Sequence, residues 1–134
     1  MKQTNNLNII YKDMENIYNS PSTSRSPEVF IDYGNNIFRI TGRCIMEDAH
    51  SFFSDIVEKL KPMVNLKFVV DLEYLNSSSL RHLIFLLKET DTIKEIEWYY
   101  YEEDFDVYEK GEDVMEVVLK HRPYVNFVII EKPM

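Results

Sequence analysis

Three consecutive serines, Ser77 to Ser79, form the densest group of potential nucleophiles in this 134-residue sequence. They follow Asn76, where an apolar strand pattern gives way to a helical one. Two interpretations are open. Asn76 or Ser77 could cap the helix by accepting a hydrogen bond from a free backbone N–H. Alternatively, a hydroxyl here is phosphorylated, because a helix start offers N–H donors and a positive dipole end to a phosphate. Arg81 comes one helical turn after Ser77 and would share its face.

The other residues that could do chemistry argue against an enzyme. The three glycines fall in no phosphate-binding pattern, and His50, His82 and His121 have no partner at the spacing of a metal site. The acidic run at Asp104 lacks the glycine and the glutamate that a calcium-binding loop requires. Cys44 follows a cation but has no catalytic partner, which favours an inert thiol. We therefore expect no catalysis, no metal and no cofactor.

Charge and composition exclude further classes. The sequence has 23 acidic and 15 basic residues, a net charge of -8, and this sign disfavours contact with the phosphates of nucleic acid. A single cysteine and the lack of a long apolar run predict a cytoplasmic protein that makes no membrane contact. Residues 95–116 include ten acidic side chains. This region is either a solvated helix face or a surface for a basic partner.

The periodicity of apolar residues predicts a mixed α/β sheet with helices packed on it. Residues 16–27, rich in serine and proline, are expected to be an irregular loop. The strand at 66–72 is almost continuously apolar, a pattern typical of a strand covered on both faces. Gly111 is expected to weaken the middle of the third helix. The predicted strands are 7–11, 29–33, 37–41, 66–72, 95–101 and 124–130; the first helix spans 47–61, the second follows Ser79 and the third spans 106–120.

Several motifs, in register over most of the chain, resemble the SiaC-type bacterial regulatory phosphoproteins, a distant branch of the STAS domains that include the anti-sigma-factor antagonists. The resemblance implies one STAS-like domain over residues 1–134, an α+β mixed sheet in which antiparallel N-terminal strands precede alternating strands and helices. The motifs are Ser26–Asp32, Ile40–Arg43, Leu72–Ser79, Trp98–Asp104 and Glu109–Asp113.

What the resemblance implies is a non-catalytic signalling switch. In that family a dedicated kinase phosphorylates a threonine after the asparagine of the strand-to-helix turn, and a PP2C-like phosphatase removes the phosphate. The unphosphorylated form binds and activates a diguanylate cyclase. Ser77 occupies the threonine position here, next to Ser78. The immediate surroundings of the implied site are Asn76, Ser78, Ser79 and Arg81.

Two departures and two alternatives accompany this resemblance. The family's usual Ser-Tyr-Pro-Glu-Asn is replaced by Cys44–Asp48, before the first helix, and Tyr101 is a further difference near the acidic run. Two alternative functions stay open. The first is an anti-sigma-factor antagonist, which would differ from a cyclase activator only in the partner that it binds. A small ligand-binding domain would use the aromatic stripe from Trp98 to Tyr101.

Overall fold

The structure, a computed structural model, describes residues 16–133, in which six strands and three helices follow one another. The elements are β1 (Ile17–Ser20), β2 (Glu28–Asp32), β3 (Ile37–Cys44), α1 (Ala49–Leu60), β4 (Leu66–Leu75), α2 (Ser77–Glu89), β5 (Ile93–Tyr101), α3 (Phe105–His121) and β6 (Asn126–Lys132). The predicted strand at 7–11 lies outside the described residues.

The strands form one sheet in sequence order, β1 to β6. β2 pairs antiparallel with both β1 and β3, and β3 to β6 are parallel. The turn between β2 and β3 includes Asn36 at φ 55°, a conformation that asparagine tolerates well. The predicted mixed sheet, in which antiparallel strands precede the parallel ones, is therefore confirmed.

All three helices lie on one face of the sheet. Each connects two neighbouring parallel strands, always in the same direction across the sheet, and right-handed crossovers then place every helix on the same side. Along the strands, side chains that face the helices are buried and alternate with more exposed ones. The buried side chains form a single core around Phe38, Phe68 and Trp98. A sheet in this order has no point at which the strand order reverses, where open α/β sheets usually bind ligands.

The prediction that the strand after Pro62 is covered on both faces is wrong. Lys67 and Asp71 of β4 point to the face without a helix among residues 16–133, and both are partly exposed. Val69, between them, is only 9% exposed. In register it lies between Arg39 of β3 and Glu97 of β5. This nearly continuous apolar run therefore occurs although no helix among residues 16–133 covers the second face of the sheet.

The expected irregular loop at 16–27 is wrong in its first part, because Ile17–Ser20 forms β1. This edge strand pairs with β2 over only four residues, and Ile17 is 48% exposed. Tyr18 is its one large side chain packed against the core, so four residues give too short a pattern to indicate a strand. The remainder turns around Thr23, whose hydroxyl accepts hydrogen bonds from the backbone N–H groups of Arg25 and Ser26.

A bulge extends β4 beyond its predicted end. Gly42 of β3 pairs with Leu72 whereas Arg43 pairs with Tyr74, so β4 contains one extra residue. The extra residue reverses the alternation and turns Leu75 into the core, where it is 1% exposed. The same shift brings the following residue, the first of the Asn-Ser-Ser-Ser segment, directly to the start of α2.

Helix α3 continues without a break through Gly111, and this glycine allows it to pack closely on the sheet. A Cβ at this position would lie 2.7 Å from both Cδ1 and Nε1 of Trp98. The Trp98 indole is fully buried beneath the helix and donates a 3.0 Å hydrogen bond from Nε1 to the carbonyl oxygen of Val107. A side chain other than hydrogen would push α3 off the sheet.

Helix α1 is confirmed with slightly different ends. Asp48, expected in the first turn, is instead the N-cap residue, and its carboxylate accepts a 3.4 Å hydrogen bond from the Ser51 N–H. Glu47 precedes the helix. Between residues 16 and 133 no helix has the length and apolar character needed to cross a membrane.

Candidate functional site

The candidate site is the turn between β4 and α2, and Asn76 is its capping residue. The Asn76 side chain accepts a 2.8 Å hydrogen bond from the Ser79 N–H, and its own carbonyl accepts one of 2.9 Å from the Leu80 N–H. Its backbone N–H donates to the Cys44 carbonyl oxygen, which fixes the turn to the end of β3. The capping function is thus fulfilled by asparagine, and no serine side chain is needed for it.

The three serines have very different environments. Ser77, the first helical residue, is exposed; Ser78 is half-buried; and Ser79 is completely buried. Successive helical side chains are separated by about 100° around the axis, so three in a row cannot share one face. Ser77 is therefore the hydroxyl of this segment that an enzyme can reach without disturbing the helix.

Ser79 and Cys44 are buried next to each other beneath the turn. The Ser79 hydroxyl makes no hydrogen bond of good geometry, and the Cys44 thiol lies beside it. Burial raises the pKa of Cys44, and the neighbouring Ser79 hydroxyl lowers it to a smaller extent. Cys44 is 0% exposed. The geometry is that of a packed thiol and not of a nucleophile.

Two cations flank the turn from different directions. Arg81 is exposed, one turn after Ser77 on α2. Lys110 reaches the turn from α3: its Nζ donates a 2.7 Å hydrogen bond to the Leu75 carbonyl oxygen and lies 2.6 Å from the Asp106 carboxylate. The Lys110 ammonium also lies 5.6 Å from the centre of the Tyr74 ring. Sequence reasoning missed Lys110, because no local pattern indicates that α3 packs beside this turn.

An exposed stripe runs along α2 from the turn. Ser77, Arg81 and Phe85 are spaced by four residues and all are exposed, Phe85 to 51%. Phe85 borders a groove between α1 and α2 that Val57 and Leu60 also line. The stripe thus combines a hydroxyl, a cation and an apolar ring on one accessible face of α2.

Two histidines meet where α1 and α2 begin. The rings of His50 and His82 are 5.8 Å apart between centroids and nearly perpendicular. His82 also contacts the Ser78 carbonyl oxygen through Nδ1 at 2.8 Å. Within residues 16–133, no group of three or more His, Cys, Asp or Glu side chains is arranged to hold a metal ion.

The aromatic stripe on β5 is divided between the two faces of the sheet. Trp98 is sealed in the core below Gly111, while Tyr99 lies on the opposite face of the sheet. The Tyr99 hydroxyl donates a 3.0 Å hydrogen bond to Glu97, and burial followed by this carboxylate raises the pKa of Tyr99. The stripe therefore divides between core packing and surface hydrogen bonding.

Comparison with known protein families gives one match. The family described as "SiaC family regulatory phosphoprotein" matches residues 20–130. The chain belongs to the SiaC family. No curated protein matches it.

Solved structures share its fold. One match is a chain of the crystal structure of the diguanylate cyclase SiaD in complex with its activator SiaC from Pseudomonas aeruginosa, with a TM-score of 0.72, 19% identity, and coverage of 86% of this chain and 99% of that one. A structure of SiaC from the same organism matches with a TM-score of 0.71, 18% identity and coverage of 87% and 98%. The structure of apo-SiaC matches with a TM-score of 0.65, 22% identity and coverage of 84% and 97%.

The segments that resembled SiaC-type proteins in the sequence come together at one edge of this fold. Parallel strands place their carboxyl ends together, so the ends of β3, β4 and β5 are neighbours. Pro27, which precedes antiparallel β2, lies at the same edge, 3.7 Å from where a Gly42 Cβ would be. Gly42 itself has a φ of 109°, which disfavours any other residue there. The SiaC-like motifs thus surround the Asn76–Ser79 turn.

Proposed function

We propose that the protein is a phosphorylation-controlled binding switch in which Ser77 is the modified residue. A kinase adds the phosphate, a PP2C-like phosphatase removes it, and the unphosphorylated form binds an effector, such as a diguanylate cyclase. Membership of a family of regulatory phosphoproteins supports this function. So does the description of a related fold as the activator in complex with a diguanylate cyclase. The protein acts in the cytoplasm and catalyses no reaction itself.

The observation that carries the proposal is the exposure of Ser77 at the first position of a helix that Asn76 already caps. A kinase must place the acceptor hydroxyl in its own active site, and of the three serines only Ser77 is fully available. Ser79 would have to leave the core, which breaks the first turn of α2. Ser78 is half-buried, so an experiment must determine whether Ser77 or Ser78 carries the phosphate.

Phosphorylation would change the charge of the turn but not the fold. A phosphoserine carries about −1.5 to −2 charges at neutral pH, whereas the Ser77 side chain is neutral. The free N–H groups at the helix start and Arg81, one turn on, can accommodate this charge in the free protein. If an effector covers the stripe of Ser77, Arg81 and Phe85, the charge must be desolvated in the complex.

The size of this penalty is sufficient for a switch. Burying a charge without a matched partner costs several kcal/mol. A penalty of about 3 kcal/mol weakens binding about a hundredfold, because about 1.4 kcal/mol corresponds to a factor of ten. The unphosphorylated state would then be the binding state without any rearrangement of the helices.

The test combines mass spectrometry with binding. Trypsin releases Phe68–Arg81, whose hydroxyl side chains are Tyr74, Ser77, Ser78 and Ser79. We expect one phosphate on Ser77 of this peptide from the native host, and its removal by a PP2C-type phosphatase. Fragmentation that places the phosphate on Ser78, or its absence while the protein binds and releases its effector, would contradict the assignment.

Binding of the effector gives a second readout. Ser77→Asp should abolish binding to the cognate diguanylate cyclase and Ser77→Ala should preserve it, with Ser78→Asp and Ser78→Ala as matched controls. Equal binding by Ser77→Asp and Ser77→Ala would refute the switch. Binding to an anti-sigma factor instead of a cyclase would retain the switch but identify the protein as an anti-sigma-factor antagonist.

A further inference from the structure

A second face of α3 lies outside the core that residues 16–133 form. The buried face consists of Val107, Gly111, Val114 and Val118. Phe105, Tyr108, Glu109 and Glu112 follow the i, i+3, i+4, i+7 spacing of one helix face and point away from the core. Phe105 is 63% exposed, although an exposed phenylalanine gains nothing from folding. We call these four residues, with Tyr100 of β5, the aromatic–acidic surface.

The aromatic rings of this surface form a continuous row. The Phe105 and Tyr108 rings are stacked at 5.7 Å between centroids, and Tyr108 lies 4.9 Å from Tyr100. Tyr108 and Tyr100 are each half-buried, so the row is anchored at one end to the sheet and open at the other. Such a row offers the negative faces of its rings in a fixed orientation.

Carboxylates surround the rings and hold the phenols neutral. Tyr108 donates a 3.2 Å hydrogen bond to Glu112, and Tyr100 donates one of 3.5 Å to Glu131. The hydrogen bond to Glu112 raises the pKa of Tyr108, while desolvation and then Glu131 raise the pKa of Tyr100. An ionised carboxylate can accept more than one hydrogen bond. Glu112 and Glu131 each accept one from a phenol and can therefore accept another from a second donor.

The negative charge of this region has no matching side-chain cation among residues 16–133. In the part of the chain that the structure describes, no lysine or arginine forms an ion pair with the acidic residues around the rings. Lys110, on the same helix, is engaged by Asp106 and the Leu75 carbonyl oxygen instead. The acidic residues of this region that form no ion pair are Glu102, Glu109, Glu112 and Glu131.

We propose that the aromatic–acidic surface binds an arginine side chain presented by a basic segment of a partner protein. A guanidinium can stack on the Phe105 and Tyr108 rings and donate paired hydrogen bonds to Glu109 or Glu112, whereas an ammonium group cannot do both in a plane. A second copy of this chain that presented the same face would bring the same negative charge to the contact and be repelled. Arginine is also among the residues that dominate protein–protein contacts.

This inference does not depend on the phosphorylation of Ser77. The Ser77 hydroxyl is on α2, and its substitution leaves the rings and carboxylates of α3 unchanged. Failure of the switch would therefore leave the aromatic–acidic surface intact, and failure of arginine binding would leave the switch intact.

The test uses two synthetic peptides, acetyl-GRRGRRG-amide and acetyl-GKKGKKG-amide, titrated into ¹⁵N-labelled protein at low salt. We expect the largest chemical-shift changes in residues 100–113 and at least threefold tighter binding of the arginine peptide. Phe105→Leu keeps an apolar side chain without a ring and should remove most of that preference. Glu109→Gln with Glu112→Gln should weaken binding at least fivefold.

The matched control removes the same charge elsewhere. Glu89→Gln with Asp91→Asn changes exposed carboxylates at and just after the C-terminal end of α2, and this double variant should alter binding less than twofold. Equal affinity for the two peptides, shifts spread over the whole surface, or an equal effect of the two double variants would overturn the proposal. A thermal melt of each variant verifies that the substitutions at exposed positions leave the fold intact.

Discussion

The ammonium group of Lys110 donates a 2.7 Å hydrogen bond to the carbonyl oxygen of Leu75, the residue before the capping Asn76. The side chain of Lys110 is 18% exposed and its second contact is the Asp106 carboxylate. Helix α3 is thereby tied to the turn that presents Ser77. The hydrogen bond joins residues that are 35 positions apart in the chain.

Replacement of Lys110 by methionine should destabilise the protein by about 1 to 3 kcal/mol, because the partly buried Leu75 carbonyl loses a charged donor. Lys120→Met is the control, since Lys120 is 81% exposed and its ion pair with Glu116 is 4.0 Å long. It should cost less than about 0.5 kcal/mol. Urea unfolding measures both; similar losses would show that the contact with Leu75 contributes nothing.

Asn76→Ala should lower the free energy of unfolding by about 1 kcal/mol, because the Ser79 N–H loses its acceptor. Asn76→Asp retains an acceptor oxygen and should keep most of the stability. Ser77→Ala should have almost no effect, because the Ser77 hydroxyl takes no part in the cap. A loss for Ser77→Ala as large as that for Asn76→Ala would mean that the serine is the true cap.

Aspartate should be tolerated at Ser77 and not at Ser79. At Ser77 the new carboxylate is exposed and faces the positive end of the helix dipole, so the melting temperature should change little. At Ser79 the carboxylate would be buried beside Cys44 without a partner, which should cost several kcal/mol. Ser79→Ala removes a hydroxyl without a hydrogen bond and should be neutral or stabilising. Thermal melts of the three variants compare these expectations directly.

Much of this arrangement was visible in the sequence, and what was missed has a common cause. Helix α1 follows from its own apolar spacing, since residues such as Phe53 and Ile56 both recur at helical intervals and are buried. Strand β1, the bulge in β4 and the contact of Lys110 depend instead on residues that are distant in the chain. Local periodicity reports the burial of an element but not which neighbour it pairs with.

At the turn between β4 and α2, too, some features follow from the local sequence and others depend on distant residues. The serines and the capping asparagine could be read from residue types, but the different exposure of Ser77 and Ser79 could not. That difference arises because the bulge turns Leu75 inward and sets the starting direction of α2. Gly111 illustrates the reverse: its low helix propensity suggested weakness, while the close approach of Trp98 makes glycine necessary.

Gly111→Ala should destabilise the protein by about 1 to 2 kcal/mol. Alanine improves helix propensity by about 1 kcal/mol, but overpacking against a rigid buried indole costs up to about 3 kcal/mol. Trp98→Phe in the same molecule makes room for the new methyl group, so the two substitutions should be less damaging together than their sum. Urea unfolding of the single and double variants tests this coupling; strict additivity would mean that the methyl group does not meet the indole.

The stability of the fold should fall in alkaline solution. A hydrogen bond to Asp71, 2.6 Å away across the sheet, raises the pKa of Lys132 above its ordinary value of 10.5. Desolvation raises the pKa of Tyr99 above 10.0. The folded state therefore holds both protons more tightly than the unfolded chain does. This contribution is complete below pH 10 and is lost as the pH rises through the higher folded-state values.

Urea unfolding between pH 7 and pH 11 should accordingly give a constant free energy near neutrality and a decline above about pH 10. Lys132→Met removes one of the protons and leaves Asp71 without its cation, so it should lower stability at pH 7 and flatten the alkaline decline. Lys120→Met, on the exposed side of α3, should leave the shape of the curve unchanged. If Lys132→Met declined as steeply as the unaltered protein, the ion pair across the sheet would not be the source of the alkaline sensitivity.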